Sequence, residues 1–484
     1  MFAQTVQAQV PVPFAGPGAG TAPLTWGQKA IMQDMRETGW THNVSGAHPV
    51  PAGVTVEQVA AEFAALMARH PALRMRLGDG DGNGPCQVVS GSGETVLDVV
   101  DVPDDADPAD VAAFAYDLGH ARLLSHYDLY RDWSVKMAVI RHRGALVHRV
   151  LTIDHLVVDG TATSLILADL GLAGRPVRRV ADPRTVQILD LGRREATPPL
   201  RRVSDRAVRH WAGHLRDVPP LTFGEPAAGG RRGHRYWHGR FSSPAAYLAV
   251  RAIAARTRTD TSRVLLAVIA VAIGRATGVS PLTAKLIVGN RFRPGFAEAV
   301  APLSQNGVLR VDTADTTVDE VVARARRAAV SAGKYAYYDP AQLAEVADRL
   351  DAERGYPARI TCRINDRRVT TRQAADGGLH DDPVTAERIR RRADETFLVW
   401  DGPLDHLPEQ MFITVEDQPE TVLLQVIFDF GCFTEEQAER LLRGVEEVAV
   451  EAALDPAAGG PGRPPGGGGG QGARRKGRAA RRLG

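Results

Sequence analysis

Apolar positions recur along the chain with two different periods. From Thr55 the period is helical: Thr55-Val-Glu-Gln58 has the side chains of a capping box, and Val56, Val59, Phe63, Leu66 and Met67 then return on one face. A second box, Thr317-Val-Asp-Glu320, opens a helix expected to run to about Ala332, and Thr434 to Ala453 reads as a final amphipathic helix. Val135 to Ile140 and Ala145 to Ile153 read instead as strands joined at Arg143-Gly144, and Phe412 to Val415 with Val422 to Phe428 as another pair. Thr161 to Leu170 is a compact apolar helix ended by Gly171 and Gly174. The longest apolar run, Val264 to Ile273, is too short to cross a bilayer and reads as a buried helix or strand. This mixture predicts an α/β body. There is no short-period repeat and no glycine-rich phosphate loop.

The two ends differ from this body. Residues 1 to about 22 are rich in Pro, Gly and Ala and read as a flexible leader; residues 457–484 read as a disordered Gly/Arg-rich tail that cannot bury enough apolar surface to order itself. The chain has 484 residues, more than a usual single domain, with 44% hydrophobic and 24% charged residues, ordinary for a globular protein with a sizeable core. The net charge of +2 hides an asymmetry. From Pro456 onward there are seven basic residues (Arg463, Arg474, Arg475, Lys476, Arg478, Arg481, Arg482) and no acidic ones, which leaves the body at −5. Cys86, Cys362 and Cys432 are too widely spaced for a disulfide framework or a CxxC site, so a reducing, cytoplasmic setting fits. No basic residue precedes Lys29, so the start lacks the charged beginning of a secretory signal.

The candidate chemistry lies in LTIDHLVVDGTATSLILADL, Leu151 to Leu170. A strand carries Asp154 and His155 to its C-terminal end, Val157 and Val158 turn inward, and Asp159-Gly160 breaks the chain before a helix. Strand ends are where α/β proteins display reactive side chains. Histidine can both accept and return a proton near neutral pH. H-x-x-x-D-G alone is a weak signal, and its bland reading is a structural histidine bonded to backbone groups.

The chain resembles the condensation domains of nonribosomal peptide synthetases, within the chloramphenicol-acetyltransferase-like superfamily. Asp154-His155-Leu-Val-Val-Asp159-Gly160 is similar to the family's HHxxxDG motif except at the first histidine. Leu24-Thr-Trp-Gly-Gln28 resembles the opening motif and Arg69-His70-Pro-Ala-Leu-Arg74 the RHxxLR motif. Gln187-Ile-Leu-Asp190 is similar to the linker segment, and Arg209-His-Trp211 with Leu215 to the YWxxxL helix after it. Gly289-Asn290-Arg291, with Asn306 downstream, resembles the ANR…N motif, and Tyr338-Asp-Pro340 a later one. Where the family has RxPLFQ, this chain has Cys362 to Arg368, CRINDRR. The resemblance spans about residues 22 to 455.

It implies two chloramphenicol-acetyltransferase-like lobes in a V-shaped pseudo-dimer, residues 23–200 and 201–456, with His155 in a tunnel between them. It implies a free-standing acyltransferase in natural-product biosynthesis, joining a carrier-bound acyl or aminoacyl thioester to an amine or hydroxyl. No cofactor is bound intrinsically; the phosphopantetheine arm of an acyl or peptidyl carrier protein delivers the substrate in trans. A monomer with neither nucleic-acid nor membrane partners is expected. His155 is the catalytic residue. Asp159 is a buried support needing an arginine, Arg291 first and Arg74 second; Asn290 caps that network, Gly160 permits a tight turn, and Asp154 bonds a neighbouring backbone group. The rivals are an acyl-CoA-dependent acyltransferase of the same superfamily and an inactive carrier-docking module, which Asp154 would mark.

Four other signals read as structure. Asp79-Gly-Asp81-Gly-Asn83-Gly84 imitates a calcium loop, but Ser90 stands where the bidentate Glu belongs, so a hairpin turn is expected. Asp429-Phe-Gly431 reads as a strand end, Glu387 to Arg392 as a solvated helix face, and His120, His126, His142 and His148 lack the spacing of a zinc site.

Overall fold

The computed structural model describes residues 6–459 apart from 40, 81, 83, 174–183, 225–232, 358, 371–383, 406 and 408. The expected tail beyond residue 459, the first five residues and Gly174 lie outside them.

The first lobe is built from β1 (Ala8–Ala15), β2 (Gly20–Pro23), α1 (Trp26–Thr38), β3 (Asn43–Pro49), α2 (Val56–Arg69), β4 (Met75–Gly80), β5 (Gly84–Val89), β6 (Ser92–Asp101), α3 (Pro108–Leu123), β7 (Val135–His142), β8 (Ala145–Asp154), α4 (Gly160–Asp169) and α5 (Ile188–Glu195). Its main sheet has the order β1-β6-β7-β8-β3, with β6 and β7 parallel and the other pairs antiparallel; β2-β5-β4 form a small second sheet. The α2 capping box is present in both directions, and Val59, Phe63, Leu66 and Met67 are buried as the spacing predicts. Arg143 and Gly144 both take positive φ, the geometry that joins β7 to β8 in a tight hairpin. β4 and β5 pair antiparallel up to Gly80 opposite Gly84, while Asp81 and Asn83 of the calcium-loop imitation lie outside the described residues.

The second lobe follows α6 (Pro198–Leu215) and comprises β9 (Tyr236–Ser243), α7 (Pro244–Thr257), α8 (Thr261–Thr277), β10 (Leu282–Val288), β11 (Gln305–Val311), α9 (Val318–Lys334), α10 (Pro340–Arg354), β12 (Cys362–Asp366), α11 (Ala386–Arg392), β13 (Phe397–Leu404), β14 (Met411–Glu416), β15 (Val422–Asp429) and α12 (Glu435–Leu454). Its seven strands run β11-β10-β12-β14-β15-β9-β13. The run Val264 to Ile273 is helical, and every residue of it is buried within α8 against α9 and α12. Thr317 caps α9, and Asp429 ends β15, held by Arg235 through two bonds of 2.8 and 2.7 Å. Each lobe has its own large apolar cluster; Phe296, Ala299, Ala301, Leu303 and Tyr337 from the second lobe's sequence complete that of the first. No helix among the described residues is long and apolar enough to cross a membrane.

The N-terminal segment corrects the sequence reading. Residues 8–23 are not a loose leader: β1 pairs with β6 along its whole length and buries Val12 and Phe14. Pro11 and Pro13 fall at the outward positions of this edge strand, where a missing N–H costs no ladder bond. Arg74, fully buried, fastens the turn that follows by donating to the carbonyls of Gly16 (3.2 Å), Pro17, Met67 (2.9 Å) and Ser90. A side chain at Gly16 would collide with the Ala68 carbonyl, at 2.2 Å.

Candidate active site

β8 ends at Asp154, and the chain turns twice before α4: Val157 donates to the Asp154 carbonyl and Val158 to that of His155. Leu156, Val157 and Val158 are fully buried beneath the turn, which leaves His155 half-buried at its top. The His155 amide donates to the carbonyl of His42 at 2.7 Å, so the backbone of the next loop fixes its position. The buried Nδ1 of His155 has no hydrogen-bond partner among the described residues. A structural histidine satisfied by backbone groups would have one there.

Asp159, four residues on, is almost wholly buried and joins the lobes. It caps α4 by accepting the Ala162 amide at 2.9 Å on Oδ1, where Arg291 also donates. Its Oδ2 accepts the amides of Leu303 and Ser304, both at 3.1 Å, and the Ser304 hydroxyl at 3.0 Å. One carboxylate thus gathers donors from α4, from the loop before β11 and from Arg291. Arg291 also donates to the carbonyls of Phe296 (3.0 Å) and Ala299 (2.6 Å), wrapping that loop around itself. Asn290 takes a left-handed conformation, φ 57°, and its amide bridges the carbonyls of Leu303 (2.9 Å) and Ala336 (2.8 Å). The arginine expected beside Asp159 is therefore Arg291.

Two expectations are corrected. Arg74 does not reach Asp159; all its donors end on backbone carbonyls around the β1 turn. Gly160 is not needed for a tight turn: it is the exposed first residue of α4, and a Cβ there would meet no atom within 4 Å.

Asp154 is fully buried, and its Oδ1 accepts the Leu156 amide at 2.6 Å while Oδ2 has no partner among the described residues. Burial pushes its carboxyl up to about 6, against the pull of the Leu156 amide. Nearby Tyr127 is raised by its own burial first and by the Asp154 charge second. Asp154 thus holds the turn through the Leu156 amide.

Several residues at the site were not among the site residues the sequence singled out. The His42 side chain lies near enough to His155 for their charges to interact, and burial lowers its pKa, with His155 and Arg363 adding to that effect and Asp34 opposing it. Across the lobe junction Arg363 on β12 contacts Asp34 on α1 at 3.6 Å. Glu195 at the end of α5 is buried and accepts from the Trp26 amide and the Tyr337 hydroxyl, both at 2.5 Å; burial pushes its carboxyl up to about 8. Gly27 lies so close to Pro302 that a Cβ would sit 1.7 Å from its carbonyl oxygen. The Glu195 contacts join residues far apart in sequence, 169 positions for Trp26 and 142 for Tyr337.

Comparison with known proteins agrees with this architecture. The condensation domain family model matches residues 19–190. Phosphinothricin tripeptide synthetase PhsC of Streptomyces viridochromogenes is 27% identical over 304 residues, 60% of this chain and 28% of that protein. Nonribosomal peptide synthetase kk1B of Curvularia clavata is 24% identical over 289 residues, 57% of this chain and 2% of that protein. The matched region is thus a small part of either curated relative. Among solved structures, the condensation domain of chain release from the enacyloxin polyketide synthase has a TM-score of 0.65 at 18% identity, covering 94% of this chain and 86% of that one. The first condensation domain of the calcium-dependent antibiotic synthetase, in complex with a substrate analogue, gives 0.63 at 16%, covering 92% and 98%. The chain resembles condensation domains and has their α/β fold with two chloramphenicol-acetyltransferase-like lobes.

Proposed function

We propose that this chain is an acyltransferase that joins a carrier-tethered acyl or aminoacyl thioester to an amine, with a hydroxyl acceptor as the ester-forming variant, and that His155 is its base. The observation that carries this reading is the half-buried imidazole at the junction of the lobes, on a turn that Asp159 and Arg291 pin from the other side. Activation resides in the thioester, so little chemistry is asked of the protein. As the amine nitrogen attacks the carbonyl carbon, His155 takes its proton. The C–N bond forms, the C–S bond breaks, and the proton passes to the departing thiolate. The phosphopantetheine arm of a carrier protein supplies that thioester, and no bound cofactor takes part. We further infer a cytoplasmic monomer that meets its carrier in trans.

A second reading has one observation in its favour. The teicoplanin X-domain, with a TM-score of 0.62 and 17% identity, is seen in complex with OxyB. Together with Asp154 in place of a histidine, this makes a partner-docking module the rival. An acyl-CoA-dependent transferase is the third. Offering acyl-CoA and carrier-bound acyl thioester side by side, with an amine, separates all three: transfer from the carrier alone supports the proposal, transfer from CoA the third reading, and carrier binding with no transfer the second.

A further inference from the structure

The helix between the lobes' sheets, α6, has one apolar face and one face of a single charge sign. Ser204, Ala207, Val208, Trp211, Ala212 and Leu215 are buried, most of them packed with Val308, Tyr338, Leu350 and Ile360 of the second lobe. The opposite side is exposed and presents Arg202, Arg206, Arg209 and, at the C-cap, Arg216. Their helical spacing puts them in one stripe, about 21 Å long at 1.5 Å of rise per residue. No side chain of the four makes an ion pair or hydrogen bond among the described residues. Other helices match their arginines to an acid one turn away. Arg263 is 3.1 Å from Asp260, Arg324 3.6 Å from Glu320, Arg391 2.9 Å from Glu387 and Arg440 3.8 Å from Glu436. On α6 the acids are engaged elsewhere. Asp205 accepts from Gln342 at 3.1 Å, and Asp217, just past the helix, faces Arg310 at 3.9 Å. The neighbouring α10 exposes Glu345 and Asp348, and no ion pair among the described residues joins them to the stripe.

Like charges at i, i+3 and i, i+4 destabilise a helix, and no contact within the chain offsets this for Arg202, Arg206 and Arg209. Arg216 alone has a local reason, since it stands at the negative end of the helix. A row of unpaired guanidiniums fits an acidic surface of matching length. The surroundings favour a protein over a nucleic acid: the body carries −5, so a polyanion running past the stripe would meet like charge.

We propose that this face of α6 is the docking surface for an acidic face of the carrier protein. The assignment rests on the reading that the acyl group arrives on a carrier, and it concerns approach and orientation, apart from the chemistry at His155.

The test reads binding of the full chain to a fluorescently labelled holo carrier protein of net negative charge, with no acyl group, by anisotropy. The triple variant Arg202→Glu, Arg206→Glu, Arg209→Glu is expected to weaken binding at least about tenfold at low salt. The difference should close at about 1 M salt, where such charges are screened. Arg202→Gln, Arg206→Gln, Arg209→Gln is expected to fall between, and serves should the charge reversal fail to fold. His155→Ala is expected to bind as wild type does, so its loss of transfer tests the catalytic reading separately. Carrier binding that is equal in wild type and a folded triple variant overturns the assignment of this face alone. No carrier binding by wild type overturns it together with the carrier-dependent reading. A duplex oligonucleotide held more tightly than the carrier, and released by the same variants, overturns it in favour of a nucleic acid.

Discussion

Replacing Asp154 by asparagine isolates the cost of a buried carboxylate next to the candidate base. Asp154 is fully buried, one oxygen takes the Leu156 amide at 2.6 Å, and the other has no partner among the described residues. Burial raises its carboxyl from 3.8 to about 6. A folded-state value above the unfolded one means that the stabilising share is fully present below about pH 3.8 and is lost as pH rises through about 6. The rise of about two units corresponds to about 3 kcal/mol lost at pH 7.5, but only about 1 kcal/mol at pH 4.5. Asparagine keeps the shape and the oxygen that accepts from Leu156, and removes the charge. Its new amide donor needs a partner in turn, which trims the gain at pH 7.5 to about 1–3 kcal/mol. With unfolding entropy near 2.1 cal/mol/K per residue, a chain of 484 residues shifts by about 1 °C per kcal/mol. Scanning calorimetry of wild type and Asp154→Asn at both pH values should therefore show a gain of about 1–3 °C at pH 7.5 that disappears or reverses at pH 4.5. A variant less stable at pH 7.5, or one whose gain is the same at both, refutes the account of Asp154.

Other outcomes follow from the same geometry. Asp159→Ala or Arg291→Ala leaves the other charge without its partner at the junction, and should cost about 3–5 kcal/mol in chemical denaturation; unchanged midpoints would show that the pair does not clamp the lobes. Gly160→Ala should leave stability within about 1 kcal/mol of wild type, since the site is open and helical. Gly27→Ala should lower Tm sharply, because its methyl would overlap the Pro302 carbonyl; equal melting of these two alanine variants would contradict the packing described.

Much of this architecture was legible because local signals agreed with tertiary ones. The capping box at Thr55, the Arg143-Gly144 hairpin and the strand-turn-helix around His155 each lie within some twenty residues of sequence, so pattern and propensity decide them together. The Asp159–Arg291 pair was reachable only through the family motifs, since 132 positions separate its members. β1 was missed because Pro11 and Pro13 mask the alternation of Val10, Val12 and Phe14; an edge strand tolerates what a central one would not. Arg74 was misplaced for a different reason: a motif arginine was offered as partner to a buried aspartate, yet backbone carbonyls around the β1 turn take up its donors. His42, Asp34 and Glu409 had no sequence signal, and Arg363 stood only as part of the departure CRINDRR; the first-lobe pair His42 and Asp34 meets Arg363 only where the lobes touch.

The central claim is that the His155 imidazole takes the proton of the attacking acceptor. It is tested most directly by single-turnover transfer from a carrier protein bearing an acyl phosphopantetheine thioester to an amine, followed by mass of the carrier, for wild type and His155→Ala at matched folded concentration. The account predicts discharge by wild type and a rate at least about 100-fold lower in the variant, with its melting temperature preserved. Equal rates in the two proteins would contradict it.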